Sequence, residues 1–132
     1  MSTDSVSGSC LCGEVRFEAG LPSNWVAHCY CSLCRRAHGA GFVTWVSVPS
    51  EHFRIIAGDE FLTEYQSSAE AKRSFCSRCG STLLFQSTHW PGETHVVLAN
   101  FDTAVDRAPH VNAFVDDKAG WVELQHLAES DG

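Results

Sequence analysis

The residues best placed to do chemistry are seven cysteines in three tight groups: Cys10 with Cys12; Cys29, Cys31 and Cys34; and Cys76 with Cys79. An odd number cannot pair completely into disulfides within one chain, and clustered thiols at such spacings read first as metal ligands. Seven divides into four plus three, a closed four-thiolate zinc site and a three-thiolate site with one position left open. A closed tetrahedral shell holds a fold together, whereas an open one admits water or substrate.

The C-x-C pair at Cys10 and Cys12 and the C-x-x-C-G knuckle at Cys76, Cys79 and Gly80 are the natural partners for the closed site. Each offers two thiolates from a tight turn whose amides can point at sulfur, and Gly13 and Gly80 permit the curvature. An all-sulfur shell suits structural zinc, with an iron–sulfur centre, another metal or ordinary buried thiols as alternatives. In the triplet, Cys29 and Cys31 share a face if the segment is extended, and Cys34 can close on the same ion after a turn. The fourth position is then available to water, a substrate thiolate or an aldehyde oxygen, and His28 or His38 could fill it at rest. A second closed site and metal-free redox thiols are the competing readings of these three residues.

Basic residues flank both groups. Arg35 and Arg36 follow the triplet and Lys72 and Arg73 precede the knuckle, together four of the nine Lys and Arg in the chain. They either balance thiolate charge or form a carboxylate-binding patch, for which the planar arginine fork is suited. Arg35 and Arg36 are the candidates for binding a ligand. Trp45, Trp90 and Trp121 read as core or loop anchors, and His52, His95, His110 and His126 have no metal-binding spacing.

The elements that must position these groups are short strands. Val15, Phe17 and Ala19 alternate with Glu14, Arg16 and Glu18, the period of a half-buried strand. Further strands are expected over 26–30, 42–48, 53–56, 61–66, 73–75, 82–86, 95–101 and 121–124, with one or two helical turns over 32–38. No window of helical length carries a sustained apolar stripe, so the chain reads as mainly β.

The length of 132 residues, the hydrophobic fraction of 44% and only four prolines fit one folded domain. The expected division is a flexible polar lead over 1–7, a single zinc-binding domain over 8–127 and a polar tail over 128–132. The longest apolar stretches, such as the one over 96–99, are too short to span a membrane, and no secretory leader follows Met1, which points to a cytoplasmic protein with reduced thiols. A formal charge of -7 makes the chain a poor general binder of nucleic acid.

Three segments then carry a resemblance. The Gly8-Ser9-Cys10-Leu11-Cys12-Gly13-Glu14-Val15-Arg16-Phe17 run, the Cys29-Tyr30-Cys31-Ser32-Leu33-Cys34-Arg35-Arg36 run and the Lys72-Arg73-Ser74-Phe75-Cys76-Ser77-Arg78-Cys79-Gly80-Ser81 run resemble the glutathione-dependent formaldehyde-activating enzyme (GFA) family, which also embraces centromere protein V. The resemblance implies a mainly β, β-tent fold of small antiparallel sheets organised around zinc. It implies two zinc ions per chain, a structural one on Cys10, Cys12, Cys76 and Cys79 and a catalytic one on Cys29, Cys31 and Cys34.

It also implies a carbon–sulfur lyase that acts on a glutathione-like thiol and a small aldehyde, forming or cleaving an S-hydroxyalkyl adduct. The expected partners are therefore a small-molecule thiol and aldehyde, with no nucleic acid and no membrane. Near the end of the chain the pattern departs from the family's: Pro109 and Trp121 are present, but Asn112 falls where the family carries a histidine if Phe114 marks the aromatic position. The alternatives are a non-catalytic, zinc-stabilised thiol-binding or protein-interaction module and, third, a thiol–disulfide oxidoreductase.

Overall fold

The computed structural model describes residues 4–130, which form eleven strands and one short helix. The strands are β1 (Ser5–Ser9), β2 (Arg16–Gly20), β3 (Trp25–Cys29), β4 (Val43–Pro49), β5 (Phe53–Ala57), β6 (Leu62–Gln66), β7 (Ala71–Cys76), β8 (Thr82–Ser87), β9 (Glu93–Val97), β10 (Val111–Ala113) and β11 (Ala128–Ser130). The helix α1 spans Ser32–His38. Two open sheets result, a three-stranded one in the order β1-β2-β5 and an eight-stranded one in the order β11-β10-β3-β4-β9-β8-β7-β6. Among the described residues no helix is long and apolar enough to cross a membrane.

The core lies where the sheets face each other. Phe17 and Ala19 of β2 point inward, and Phe17 meets Phe101 edge-on at 5.1 Å and Phe53 at 5.6 Å. Arg16 and Glu18, on the other face, make exposed ion pairs with Asp102 and Arg54, so the period-two reading of this segment holds. β4 lies between β3 and β9. It is covered on both faces, which is why Trp45, Val46, Ser47 and Val48 are all buried and why its sequence is continuously apolar or small.

Several expectations need correction. Ser5, Val6 and Ser7, read as part of a flexible lead, belong to β1, which pairs with β2 in register along its whole length. Its small residues allow this: a Cβ on Gly8 would lie 2.3 Å from the Phe17 ring, so β1 can cross that aromatic only without a side chain there. Residues 1–3 of the lead and 131–132 of the tail lie outside the described residues. The strand expected over 95–101 stops at Val97 and gives way to a 3-10 turn over Leu98–Asn100. Residues 121–124 form no strand, while 111–113 and 128–130 do. The sheets are not all small and antiparallel either, because β10 runs parallel to both β3 and β11. The long connection over 98–110 frees β10 from the direction a hairpin would impose.

Candidate metal centres and the adjoining cavity

Cys10 and Cys12 sit in the turn between β1 and β2, and Cys76 and Cys79 at the turn between β7 and β8. The four sulfurs lie within 4.8 Å of one another, bridging the small sheet and the large one. Cys12 Sγ is 3.6 Å from Cys10 Sγ and 3.8 Å from Cys76 Sγ. A tetrahedral shell with metal–sulfur bonds of about 2.3 Å would separate its sulfurs by about 3.8 Å, so the spacing fits a metal and is far too long for disulfides. The Val15 amide donates to Cys10 Sγ at 3.3 Å. Against the cost of burial, the amides of Ser81 and Cys12 hold the Cys79 thiol down at about 6. Although the Glu14 amide works to lower it, burial and the neighbouring thiols push Cys12 up to about 11, so the protons of this group are held unequally.

Cys29 ends β3, Cys31 precedes α1 and Cys34 lies in its first turn. Their sulfurs form a second group within 4.8 Å, with Cys29 and Cys31 3.4 Å apart. Cys31 Sγ caps the helix, accepting from the Cys34 amide at 3.3 Å. Gly39 closes the other end of the helix in a left-handed conformation, its N–H donating to the Arg35 carbonyl. Bonds from Cys29, then from Cys34, bring the Cys31 thiol down to about 2, with the Arg73 charge adding to the effect. The bond with Cys31, and then that with Cys34, pushes Cys29 far up. Of the three, Cys31 thus gives up its proton most readily.

A cavity of about 600 Å³ opens beside this triplet and touches none of the other four cysteines. The buried Arg73 of β7 lines it, with its terminal nitrogens Nη2 and Nη1 3.6 and 3.7 Å from Cys34 Sγ. The guanidinium lies over the Phe85 ring, 4.9 Å from its centroid, because the two are register partners on β7 and β8. His95 Nε2 donates to Glu93 Oε1 at 2.9 Å, and that same oxygen accepts from the Ser47 hydroxyl at 2.7 Å. Burial holds the His95 pKa down in spite of the carboxylate beside it.

The other predicted residues fall elsewhere. Arg35 Nε donates to the Tyr30 carbonyl at 3.3 Å and Nη2 to the Asp117 carbonyl at 3.0 Å, bracing the loop after β10. Arg36 is exposed, and neither arginine lines the cavity. The fourth-ligand candidates stand apart from the triplet. His28 Nε2 donates to Gln125 Oε1 at 3.1 Å and Nδ1 accepts from Thr44 at 2.7 Å, so both ring nitrogens are engaged. His38 packs edge-on against Trp45 and has no nitrogen in the sulfur group. Asn112 alternates with Val111 and Ala113, which line the cavity, and so faces away from it. It donates to the Gln125 carbonyl at 2.9 Å and accepts from the Tyr30 hydroxyl at 3.3 Å.

Sequence reasoning missed the cavity wall. Trp25, Trp45, Phe85, Trp90 and His95 all line it. Trp45 is core as well as wall, and Trp121 is 76% exposed and does not take part. The only sequence sign of the wall was a local richness in aromatic residues.

The family model for the glutathione-dependent formaldehyde-activating enzyme matches residues 5–117. A Halomonas elongata protein named as a candidate enzyme of that kind is 33% identical over 128 residues, covering 91% of this chain and 81% of its own. A Schizosaccharomyces pombe protein named an uncharacterized lyase is 31% identical over 62% of this chain, which spans only 58% of that relative. A crystal structure of a Rhodobacter sphaeroides protein superposes with a TM-score of 0.65 at 33% identity, covering 76% of this chain and 92% of that one.

Proposed function

The chain belongs to the glutathione-dependent formaldehyde-activating enzyme family, and from that premise we propose that it is a zinc-dependent carbon–sulfur lyase that joins a glutathione-like thiol to an aldehyde and cleaves the resulting S-hydroxyalkyl adduct. The observation that carries this reading is the contrast between the two cysteine groups. The four-sulfur group is complete in itself, whereas the triplet offers three sulfurs beside a cavity. Cys10, Cys12, Cys76 and Cys79 would hold a structural zinc, and Cys29, Cys31 and Cys34 a catalytic one, two ions in a single domain that begins at β1 and ends at β11.

Zinc bound by the triplet would supply mild Lewis acidity, tempered by three thiolate donors, toward a thiol or a carbonyl oxygen. The remaining work falls to the protein. Three thiolates at -3, a divalent ion at +2 and Arg73 at +1 would bring the site to zero charge. That neutrality removes the cost of an uncompensated charge in an apolar pocket. The cavity would hold the thiol and the aldehyde together, so that a bimolecular encounter becomes a step between neighbours. The sulfur–carbon bond forms as the carbonyl π bond opens, and the thiol proton ends on the new hydroxyl. Arg35, bonded to two carbonyls, supports the frame of the triplet in this scheme and does not reach substrate.

NMR exchange spectroscopy with glutathione and formaldehyde tests the proposal. The zinc-loaded protein should accelerate interconversion of the free aldehyde and the adduct, and Cys31→Ser should abolish that acceleration. Equal rates with the two proteins would refute it.

A further inference from the structure

We propose that the aldehyde handled here carries an aromatic ring, or a similarly broad apolar group, seated against Trp25, Trp45, Phe85 and Trp90. The inference rests on the triplet being the reacting centre.

Formaldehyde presents only hydrogens beyond its carbonyl and needs no wall to receive them. The cavity beside the triplet, at about 600 Å³, is of the size that takes a drug-like molecule. Its aromatic side is continuous. Trp45 lies 5.9 Å from Phe85, Phe85 lies 6.1 Å from Trp90, and His95 stands 4.6 Å from Trp25 and 5.3 Å from Trp90. The wall is also held in place. Phe85 stacks on His95 at 5.7 Å, and His95 is tied to Glu93. A surface fixed in this way receives a flat ring without first losing side-chain freedom. Two more apolar residues border the cavity from the triplet side, Leu33 at 51% exposure and Phe114 at 37%.

Charge selects in the same direction. Arg73 is the one Lys or Arg among the lining residues, and both its terminal nitrogens already face the Cys34 sulfur. Among the described residues no guanidinium or ammonium is left over among the aromatics to receive a carboxylate, and the lining His89 already faces the Glu70 carboxylate at 4.0 Å, so the group that enters this side is uncharged. A glutathione thiol then reaches the triplet with its carboxylates directed away from the aromatic wall. Bond making is unchanged: sulfur adds to the aldehyde carbon, the thiol proton passes to oxygen, and nothing is oxidised or reduced.

Two stable thioethers separate the possibilities. S-benzylglutathione and S-methylglutathione share the peptide and differ only in the group that would meet the wall. Three of the four tryptophans line the cavity, so intrinsic fluorescence of the zinc-loaded protein reports occupancy. S-benzylglutathione should bind roughly tenfold to a hundredfold more tightly, the gain for burying a ring. Trp90→Ala should shrink that margin with zinc content and circular dichroism unchanged, and benzaldehyde should exchange with glutathione under catalysis. Equal affinities for the two thioethers would overturn the inference. If formaldehyde exchange were still accelerated in that case, the lyase reading would stand without it. Absence of both binding and exchange would remove both.

Discussion

The guanidinium of Arg73 spans the sulfur of Cys34, with its two terminal nitrogens 3.6 and 3.7 Å away. One residue of β7 thereby places a positive charge against a cysteine cluster carried by β3 and α1. Loss of that contact should weaken metal binding at the triplet and leave the four-cysteine group untouched. Arg73→Ala is expected to lower the affinity of the second zinc equivalent by roughly 10–100-fold, the usual effect of removing a partner of a metal ligand. Arg73→Lys should recover part of it, and Arg35→Ala should not lower it comparably. Chelator competition on the three purified variants measures this, and a loss in Arg35→Ala as large as in Arg73→Ala would contradict the assignment.

The two cysteine groups should differ in what they contribute to folding. Cys76 and Cys12 join segments 64 residues apart (76 - 12), and Cys10 and Cys76 belong to the same buried core cluster. Structural zinc can contribute on the order of 10 kcal/mol of folding free energy in small domains. Cys76→Ser should therefore aggregate or unfold, while Cys31→Ser should fold and carry about one zinc. Circular dichroism with metal analysis decides it, and comparable loss of structure in both would mean the ligands are divided otherwise.

A pH effect follows from His38. Burial, and then the Arg73 charge, lower its pKa from 6.5 to about 4, and its Nε2 is enclosed without a hydrogen-bond partner. Above pH 6.5 the ring is neutral whether the chain is folded or not. Between 6.5 and about 4 the unfolded chain takes up a proton that the folded one refuses, so stability falls as the pH drops through this window. Below it both states are protonated and the loss is complete. Urea unfolding at pH 7 and pH 5 should show a smaller drop for His38→Gln than for the parent chain. Acid release of zinc acts on both proteins and cancels in the comparison. Identical drops would show that His38 does not contribute.

Gly58 tests the join between the first sheet and the turn before β6. Its φ is +77°, and a Cβ there would stand 2.0 Å from the Glu14 carbonyl oxygen. Backbone strain and overpacking together predict a loss of about 2–5 kcal/mol for Gly58→Ala. Gly92, at φ +78°, has nothing within 4 Å of the same position. Gly92→Ala should therefore show the conformational cost alone, about 1–2 kcal/mol. Chemical denaturation of the pair measures the difference, and equal losses would mean that the contact with Glu14 relaxes freely.

The cysteine groupings, the predominance of strands and the family were legible from the chain itself. Each ligand pair lies within a few residues at a tight turn, so spacing alone constrains where its sulfurs can go. The alternation around Phe17 likewise survives into β2, since period two is a property of the strand. The tertiary fold was needed to choose between Arg35 and Arg73. Arg35 follows Cys34 in the chain, but consecutive residues of a helix point about 100° apart, and Arg35 turns to two backbone carbonyls. Arg73, 39 residues from Cys34, is buried on β7 and meets its sulfur directly at the edge of the cavity. The aromatic wall has the same origin. Trp25, Trp45 and Phe85 come from β3, β4 and β8, and their meeting depends on strand order and register, long-range pairings that no local pattern in the chain encodes.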